Sequence, residues 1–350
     1  MVQLKRLILV VLVLLSMTSL NSCMRKNSTD LETSIFNEDL QVEDYFRAEA
    51  NVKYTYEGHG NEYASYSVYT DYISGSRVQL RYNNGGTEYV EVLENNNKEI
   101  GVVLRKNECY YREDFTQEMT GLTDVILKEP IETGTAWKSA DNKKRYISNV
   151  GVKVATPSGT YSTVEVTTEE SGGKTLSYYA QNIGLVQTVS RINNNRIFSM
   201  LSKIERNVSF AQECSFFYPD VNGDKIYYRD KKIYFLTNDK TKQKIENEMK
   251  NLPVGNFCKV LGPNVVINSL FINSKNIVYI DFSEELLTEM NAGAGYESMI
   301  LQCITNTLGK YYCVDKVCIT IAGNPYSSGH IEMKTDEYFT VDMKNCIKLQ

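Results

Sequence analysis

The sequence has few of the residue types that build acid–base or metal centres. It contains two histidines, His59 and His330, and one tryptophan, Trp137. Two histidines so far apart in the chain cannot form a histidine-rich metal site, and neither lies in a Ser-His-Asp pattern. We interpret both as turn or loop residues. The sequence therefore predicts a protein that is not an enzyme, with no catalytic residues, no metal and no cofactor.

Long apolar runs and excess positive charge are also missing. The unbroken apolar run Leu7–Leu15 is too short to span a bilayer comfortably. The formal net charge is −5, and loss of residues 1–22, which carry two positive charges, would leave −7. Nucleic-acid partners usually require a basic surface. We therefore expect no nucleic-acid binding.

The amino terminus has the order of an export signal. Lys5 and Arg6 precede the apolar run, and small Ser22 stands immediately before Cys23. This arrangement resembles the lipobox of bacterial lipoproteins, in which the cysteine receives a diacylglycerol and the chain is cleaved before it. We predict a signal peptide over 1–22, lipidation at Cys23 and a polar tether over 23–43. The alternative is an uncleaved amino-terminal membrane helix.

Either alternative places the rest of the chain outside the cytoplasm. The resemblance to lipoproteins implies a location at the cell membrane, lipid-anchored on its extracytoplasmic face. Two acyl chains hold a protein on a membrane stably, whereas one gives only reversible binding.

Residues 44–207 show alternating apolar positions separated by turn sequences. The pattern predicts hairpin turns at Asn83–Gly86, Asn95–Lys98, Thr156–Gly159 and Glu170–Gly173. Strands at such short spacing indicate an antiparallel, β-rich domain, either an open curved sheet or a sandwich.

Two stretches of this domain, Glu129–Trp137 and Tyr178–Gln187, resemble exported lipoprotein domains with an incomplete barrel. Some such domains shelter an acyl chain. The resemblance implies a concave ligand face, for which we name Tyr66, Trp137 and Tyr179, with Val68 beside them. The alternative is that these aromatic side chains are ordinary packing residues.

Residues 208–350 change to a mixed pattern. Strands are predicted over Val265–Ile272 and Ile277–Phe282, and helices over Lys240–Leu252 and Glu297–Leu308, the second ending at Gly309. The order β, α, β, β, α, β predicts a two-layer α+β domain with helices on one face of a small sheet. The predicted fold class of the whole chain is α+β.

Seven cysteines follow Cys23, an odd number that cannot all pair within one chain. Cys313 and Cys318 have a spacing that could form a disulfide outside the cell, and Cys303 lies on the apolar face of the second helix. The pairing among the seven stays open. They are Cys109, Cys214, Cys258, Cys303, Cys313, Cys318 and Cys346.

The carboxy-terminal pattern carries a family signature. Its elements are Asp281-Phe282-Ser283, Gly293, Gly295, Glu297, Asn306-Thr307-Leu308, Val314, Val317, Gly323 and Gly329-His330. Together they resemble the GerMN domain of sporulation and spore-germination proteins. The resemblance covers roughly residues 215–345. It implies a non-enzymatic extracytoplasmic module of Gram-positive bacteria that works by assembly or binding.

Two functional hypotheses follow, the first from this resemblance and the second from that of the β-rich domain to exported lipoproteins. In the first, the domain self-associates or joins an envelope complex through the face of the second helix that carries Glu297, Asn306 and Thr307. Asn306 and Thr307 are unusual in the middle of a helix, and they either bond a neighbouring loop or mark a contact surface. In the second, the β-rich domain carries a lipid or an envelope glycan such as peptidoglycan.

Overall fold

The computed structural model describes residues 40–46, 48–118 and 124–349. Strands make up about half of the described chain, and its three α-helices are confined to the second half. The first twelve strands are β1 Val52–His59, β2 Tyr66–Ser74, β3 Arg77–Asn83, β4 Glu88–Asn95, β5 Glu99–Asn107, β6 Asp124–Lys128, β7 Ala136–Lys138, β8 Lys144–Thr156, β9 Gly159–Glu170, β10 Gly173–Ala180, β11 Gly184–Ile192 and β12 Asn195–Arg206.

These twelve strands form one antiparallel sheet made of two meanders. Strands β1 to β6 are neighbours in chain order, as are β7 to β12, and β1 pairs with β12 to join the halves. The four predicted hairpin turns are confirmed, since each connects two paired strands. Of the two predicted arrangements, a single sheet is the one observed.

The sheet curves until its two edge strands meet. The indole N–H of Trp137 in β7 donates to the carbonyl oxygen of Val125 in β6 at 2.8 Å. Arg145 of β8 also donates to that carbonyl, and it pairs with Asp124 at 3.1 Å. Side chains therefore close the seam that the backbone ladder leaves open.

The second half of the chain contains two smaller sheets and the helices. Its elements are β13 Phe210–Pro219, β14 Ile226–Phe235, α1 Thr241–Lys250, β15 Ile267–Ile272, β16 Ile277–Phe282, α2 Glu285–Met290, α3 Ala294–Tyr312, β17 Lys316–Ile321, β18 Asn324–Pro325, β19 Phe339–Thr340 and β20 Cys346–Lys348. One sheet has the order β13-β14-β20, and the other has β15-β16-β17-β18 with β19 beside β17.

Helix α3 lies at the centre of this half. Ile304 and Leu308 are completely buried, and the helix contacts β13 of one small sheet and β16, β17 and β19 of the other. The α+β class agrees with the structure. The helix, however, packs against strands of both sheets, whereas the sequence predicts helices on one face of one sheet.

The ends of α3 also differ from the prediction. The helix continues through Gly309 to Tyr312 and ends at Cys313, which has a left-handed backbone with φ 57°. A Cβ on Gly309 would lie 2.1 Å from a methyl group of Val341 and 2.8 Å from the carbonyl oxygen of Val314. Gly309 therefore permits close packing inside the helix and does not end it.

Strands β2 to β5 have two faces. One points toward the rest of the curved sheet, and the other points toward the second half of the protein. Val90, Val92 and Leu104 belong to the same hydrophobic cluster as Phe216 and Ile304 of the second half. The predicted domain boundary near residue 208 falls between β12 and β13, and residues from both sides of it share this cluster.

Buried charges lie at the same junction. Asp71 of β2, Arg81 of β3 and Arg112 of the β5–β6 connection are each at most 1% exposed. Arg81 Nε donates to Asp71 at 2.9 Å, and Arg112 donates to the carbonyl oxygen of Leu236 at 3.0 Å. The bond from Arg112 to Leu236 ties the curved sheet to the segment that leads into α1.

Within residues 40–46, 48–118 and 124–349, none of the helices combines the length and the apolar character needed to cross a membrane. The predicted signal peptide, Cys23 and the first part of the predicted tether lie outside the described residues.

Candidate ligand-binding site

The concave side of the curved sheet encloses a cavity of about 190 Å³. Strands β1 to β6 supply most of its walls, and the rest comes from Tyr45, Phe46, β10, the turn after it and the start of β11. The lining side chains divide into aromatic residues, nearly all of them tyrosines, aliphatic residues and a few charged residues. The aromatic ones are Tyr45, Phe46, Tyr54, Tyr56, Tyr66, Tyr82 and Tyr179, and the aliphatic ones include Val68, Leu80, Leu93, Ile100, Val102, Ile126, Ile183 and Leu185.

Four tyrosines form a ladder across β1 to β4. Tyr56 and Tyr66 stack with ring centroids 4.5 Å apart, and Tyr82 and Tyr89 stack at 4.6 Å. A tilted contact of 6.2 Å between Tyr66 and Tyr82 joins the two pairs. The guanidinium of Arg105 lies 5.7 Å from the Tyr89 ring and continues the ladder onto β5. Stacked cross-strand pairs stabilise such a sheet face.

The hydroxyl groups of the ladder differ in their partners. The Tyr56 hydroxyl donates to the carbonyl oxygen of Leu185 at 2.7 Å. Within the described part of the chain, the hydroxyls of Tyr66 and Tyr82 have no hydrogen-bond partner, and both side chains keep some accessible surface inside the cavity. Burial raises the pKa of both hydroxyls well above 10, so both stay protonated donors.

Paired charges stand at the mouth of the cavity. Glu91 is 5% exposed, and its Oε1 accepts from Arg105 Nε at 2.7 Å and from a second nitrogen of the same guanidinium. Asp124 pairs with Arg145 at the seam. Each carboxylate thus has a guanidinium beside it. A wider groove of about 470 Å³, lined mainly by charged residues, adjoins the mouth and shares Arg105 and Asp124 with it.

The first described residues cover one end of the cavity. A 3-10 turn spans Val42–Tyr45, and Tyr45 and Phe46 point into the lining. The N–H of Val42 donates to Glu129 Oε1 at 3.0 Å, and the N–H of Asn182 donates to the carbonyl oxygen of Asp44 at 2.7 Å. Val42 is completely buried, so the end of the predicted tether packs against the sheet.

The structure brings two of the three predicted ligand-face residues together. Tyr66, Tyr179 and the neighbouring Val68 line the cavity. Trp137 does not, since its indole is engaged at the seam with Val125. Trp137 holds the sheet closed, and its place in the predicted ligand face is corrected.

The three residues predicted to form an interaction surface are buried. Glu297 is 2% exposed, Thr307 is 1% and Asn306 is 0%. The helix that carries them is enclosed by both small sheets, which the sequence pattern does not reveal. The prediction that these side chains face a partner is therefore corrected.

Glu297 instead anchors a loop beside α3. Its carboxylate accepts hydrogen bonds from Tyr326 and from His330 Nδ1, both at 2.8 Å, and from the Ser328 hydroxyl. Burial raises the pKa of this carboxyl group, but the bonds from Ser328, His330 and Tyr326 outweigh burial and hold the pKa below its usual value. His330 is a structural loop residue, as the sequence predicts.

Asn306 and Thr307 also make internal bonds, which settles the two alternatives for them. Asn306 Nδ2 donates to the carbonyl oxygen of Asp342 at 2.7 Å, and the N–H of Asp342 donates back to Asn306 at 3.0 Å. The Thr307 hydroxyl donates to the Cys303 carbonyl oxygen at 2.8 Å and accepts from the N–H of Phe217. Both residues therefore bond neighbouring segments.

The seven cysteines in the described ranges are free thiols. Cys313 is exposed and Cys318 is buried, so the structure holds no bridge between them. Cys303 is a buried core residue, as predicted. Among the residues with described positions, no group of three or more His, Cys, Asp or Glu side chains is arranged to hold a metal ion.

Sequence reasoning missed Tyr82, Glu91 and Arg105. Strand β3 carries one usable signal, because Leu80 and Tyr82 lie on the same face of it. Strand β4 carries the other, the acidic residue Glu91 between buried Val90 and Val92. The turn positions alone could not show that these strands face Tyr179 of the other meander.

A segment of the second half matches a known family. Residues 215–327 match a family model described as Germane, sporulation and spore germination. These residues form a GerMN-related domain. The motifs Asp281-Phe282-Ser283 and Asn306-Thr307-Leu308 fall inside the matched segment. No curated protein is significantly similar to the sequence.

Solved structures with partial similarity are of two kinds. The tandem GerMN domains of the sporulation protein GerM from Bacillus subtilis share 21% identity, at a TM-score of 0.29. The alignment covers 37% of this chain and 46% of that one, so this chain spans about half the length of the tandem structure.

The second kind comes from two other bacteria. A protein from Bacteroides fragilis, described as exported with a YmcC-like fold, shares 15% identity over 46% of this chain and 99% of that one, at a TM-score of 0.28. A protein from Parabacteroides distasonis, described as a lipoprotein, shares 15% identity over 46% of this chain and 98% of that one, at a TM-score of 0.27.

Proposed function

We propose that this protein is a lipid-anchored binding module on the extracytoplasmic face of the cell membrane. The curved sheet binds a small ligand, a lipid or an envelope glycan, in the tyrosine-lined cavity. The family match over residues 215–327 supports a sporulation or germination setting, for which we propose a Gram-positive cell. The module binds its ligand without chemical conversion.

One observation carries the proposal. The cavity is mostly apolar, yet the hydroxyls of Tyr66 and Tyr82 open into it without a partner among the described residues. Ligand-binding sites combine an apolar lining with a few polar groups that orient the ligand. A bound molecule would supply the missing acceptors.

Anchoring and association are part of the same proposal. The order of Lys5, the apolar run and Cys23 supports a lipid anchor, and a membrane ligand would be available at that location. Association with another envelope protein or a second copy is supported by the family match alone. This association does not involve Glu297, Asn306 and Thr307, because all three are buried.

Native mass spectrometry tests ligand binding directly. The Cys23→Ser protein lacks the acylated sulfur, and its residues 1–22 are replaced by a signal peptide whose cleavage does not depend on lipidation. It is produced in an exporting bacterial host and purified without detergent. We expect a retained mass on the monomer. A second variant, Leu93→Trp, fills the cavity from β4 and should lose that mass while remaining folded, which circular dichroism checks. A bare monomer in both proteins, together with no binding of an added acyl lipid or envelope glycan, would contradict the proposal.

A further inference from the structure

The chemistry of the lining narrows the ligand to one class, given that the cavity is a binding site as proposed above. We infer that it binds an acyl chain whose ester or amide carbonyl accepts hydrogen bonds from the hydroxyls of Tyr66 and Tyr82. The ligand is thus a neutral acyl lipid, and the glycan alternative is the less favoured one.

The geometry of the tyrosine ladder argues against a sugar. Aromatic side chains that bind sugars offer an open ring face, against which the C–H groups of the sugar pack. Tyr66 has Tyr56 on one side and Tyr82 on the other, and Tyr82 lies between Tyr66 and Tyr89. The two inner rings therefore present mainly their edges and hydroxyls to the cavity.

The remainder of the lining suits a hydrocarbon chain. Leu93, Ile100, Val102 and Ile126 form a continuous aliphatic wall from β4 to β6. A sugar would leave most of its hydroxyls without partners against such a wall, and each would be costly to bury. An acyl chain has no such groups beyond its carbonyl end.

The paired charges at the mouth of the cavity favour a ligand with an uncharged head group. Glu91 is held by Arg105, and Asp124 is held by Arg145, so no guanidinium among these four groups is left over for a carboxylate. A fatty-acid carboxylate would meet two negative neighbours and would have to compete for their partners. A carbonyl oxygen needs only donors, and the two free hydroxyls are donors.

Two sources could supply such an acyl group. One is a glycerolipid of the membrane, and the other is the diacylglycerol predicted on Cys23 of the same chain. Residues 45 and 46 close one end of the cavity, so the chain enters the described structure beside the site. Both sources present the same ester carbonyl.

Calorimetric titration of the Cys23→Ser protein with matched probes tests the inference. Methyl decanoate carries an ester, decanoate carries a charged carboxylate on the same chain, and chitotetraose represents an envelope glycan. We expect methyl decanoate to bind at least tenfold more tightly than decanoate, and chitotetraose not to compete. Tyr66→Phe and Tyr82→Phe should each weaken methyl decanoate binding about fivefold.

Tyr63→Phe is the matched control, because Tyr63 is 52% exposed and does not line the cavity. It should bind methyl decanoate as the parent does. Tighter binding of decanoate, or unchanged affinity in both tyrosine variants, would overturn the inference. Chitotetraose binding that depends on Tyr66 and Tyr82 would also overturn it, while leaving the proposed binding function intact. No bound probe, together with a bare monomer in native mass spectrometry, would overturn both.

The mass retained in native mass spectrometry identifies the source of the acyl group. A glycerolipid on the Cys23→Ser protein identifies the membrane as the source. If that protein is bare but binds methyl decanoate, and the lipidated parent does not bind it, the chain's own anchor occupies the cavity. Either result supports the acyl assignment.

Discussion

Asp71 and Arg81 form an ion pair with no solvent access, joined at 2.9 Å between adjacent strands of the curved sheet. Arg81 continues to the carbonyl oxygens of Cys109 and Tyr111, and Arg112 approaches the other oxygen of Asp71 at 3.5 Å. One buried carboxylate thus faces two guanidinium groups where the sheet meets the second half of the chain, and Arg81 also pairs with Glu88 at 3.2 Å. The junction is polar at its centre and apolar around it.

Removing the charge of Asp71 should destabilise the whole protein. Asp71→Asn keeps the shape of the side chain but leaves Arg112 buried without a counter-charge and Arg81 with Glu88 as its remaining one, which costs about 3–5 kcal/mol. Urea unfolding measures the loss. The control is Glu205→Gln, since Glu205 pairs with Lys203 on the surface and its removal should change little. Equal effects of the two variants would contradict the role assigned to the buried pair.

Trp137→Phe should loosen the seam of the curved sheet. The variant keeps an aromatic ring but loses the N–H that donates to the carbonyl oxygen of Val125. A single hydrogen bond contributes about 1 kcal/mol, so the fold should persist with faster amide exchange in β6 and β7. Hydrogen exchange followed by mass spectrometry measures this. Unchanged exchange in these two strands would show that Arg145 alone holds the seam.

Glu297 should make the protein more sensitive to acid. Its folded-state pKa lies below the ordinary value of 4.5, so its stabilising contribution is complete above that value and is lost as the pH falls through the folded-state pKa. Glu297→Gln should lower the free energy of unfolding at pH 7 and reduce its decline in the acid range. Chemical unfolding at several pH values checks both effects. Parallel pH profiles for parent and variant would rule out this assignment.

Asn306 should hold the carboxy-terminal segment on α3. Asn306→Ala removes both bonds to Asp342 and leaves buried groups unpaired, at a cost of about 1–3 kcal/mol. Limited proteolysis should then cut residues 333–349 faster. Ser298→Ala is the control, because the exposed Ser298 hydroxyl bonds only within its own helix. Similar cleavage of both variants would contradict the role of Asn306.

Local elements of the fold could be predicted well from the sequence, since their signals are local. The turn at Asn83–Gly86 and the strand Ile277–Phe282 are found as predicted. The helix predicted over Lys240–Leu252 is found at Thr241–Lys250. Turn residues and alternating apolar positions specify such elements without knowledge of their partners.

Long-range arrangements could not be predicted in the same way. Nothing in the alternation of β1 says that it pairs with β12. Val52 of β1 lies opposite Arg206 of β12, which follows it by about 150 residues in the chain. The burial of Asn306 and Thr307 depends on a second sheet that covers α3. Polar residues in a helix suggest a surface when only the sequence is read, but here they bond neighbouring segments inside the protein.

The candidate site was only half visible for the same reason. Tyr66 and Tyr179 were identified from aromatic positions, whereas Glu91 and Arg105 become neighbours through the cross-strand register of β4 and β5. The closure of the sheet then turns one of its faces into a cavity.

A crystal structure of the Cys23→Ser protein, purified without detergent from an exporting host and crystallised with methyl decanoate, tests the central claim most directly. The account predicts elongated density along Leu93 and Val102, ending in an oxygen within hydrogen-bond distance of the hydroxyls of Tyr66 and Tyr82. A cavity that holds only water, or one filled by a rearranged tyrosine ladder, would contradict it.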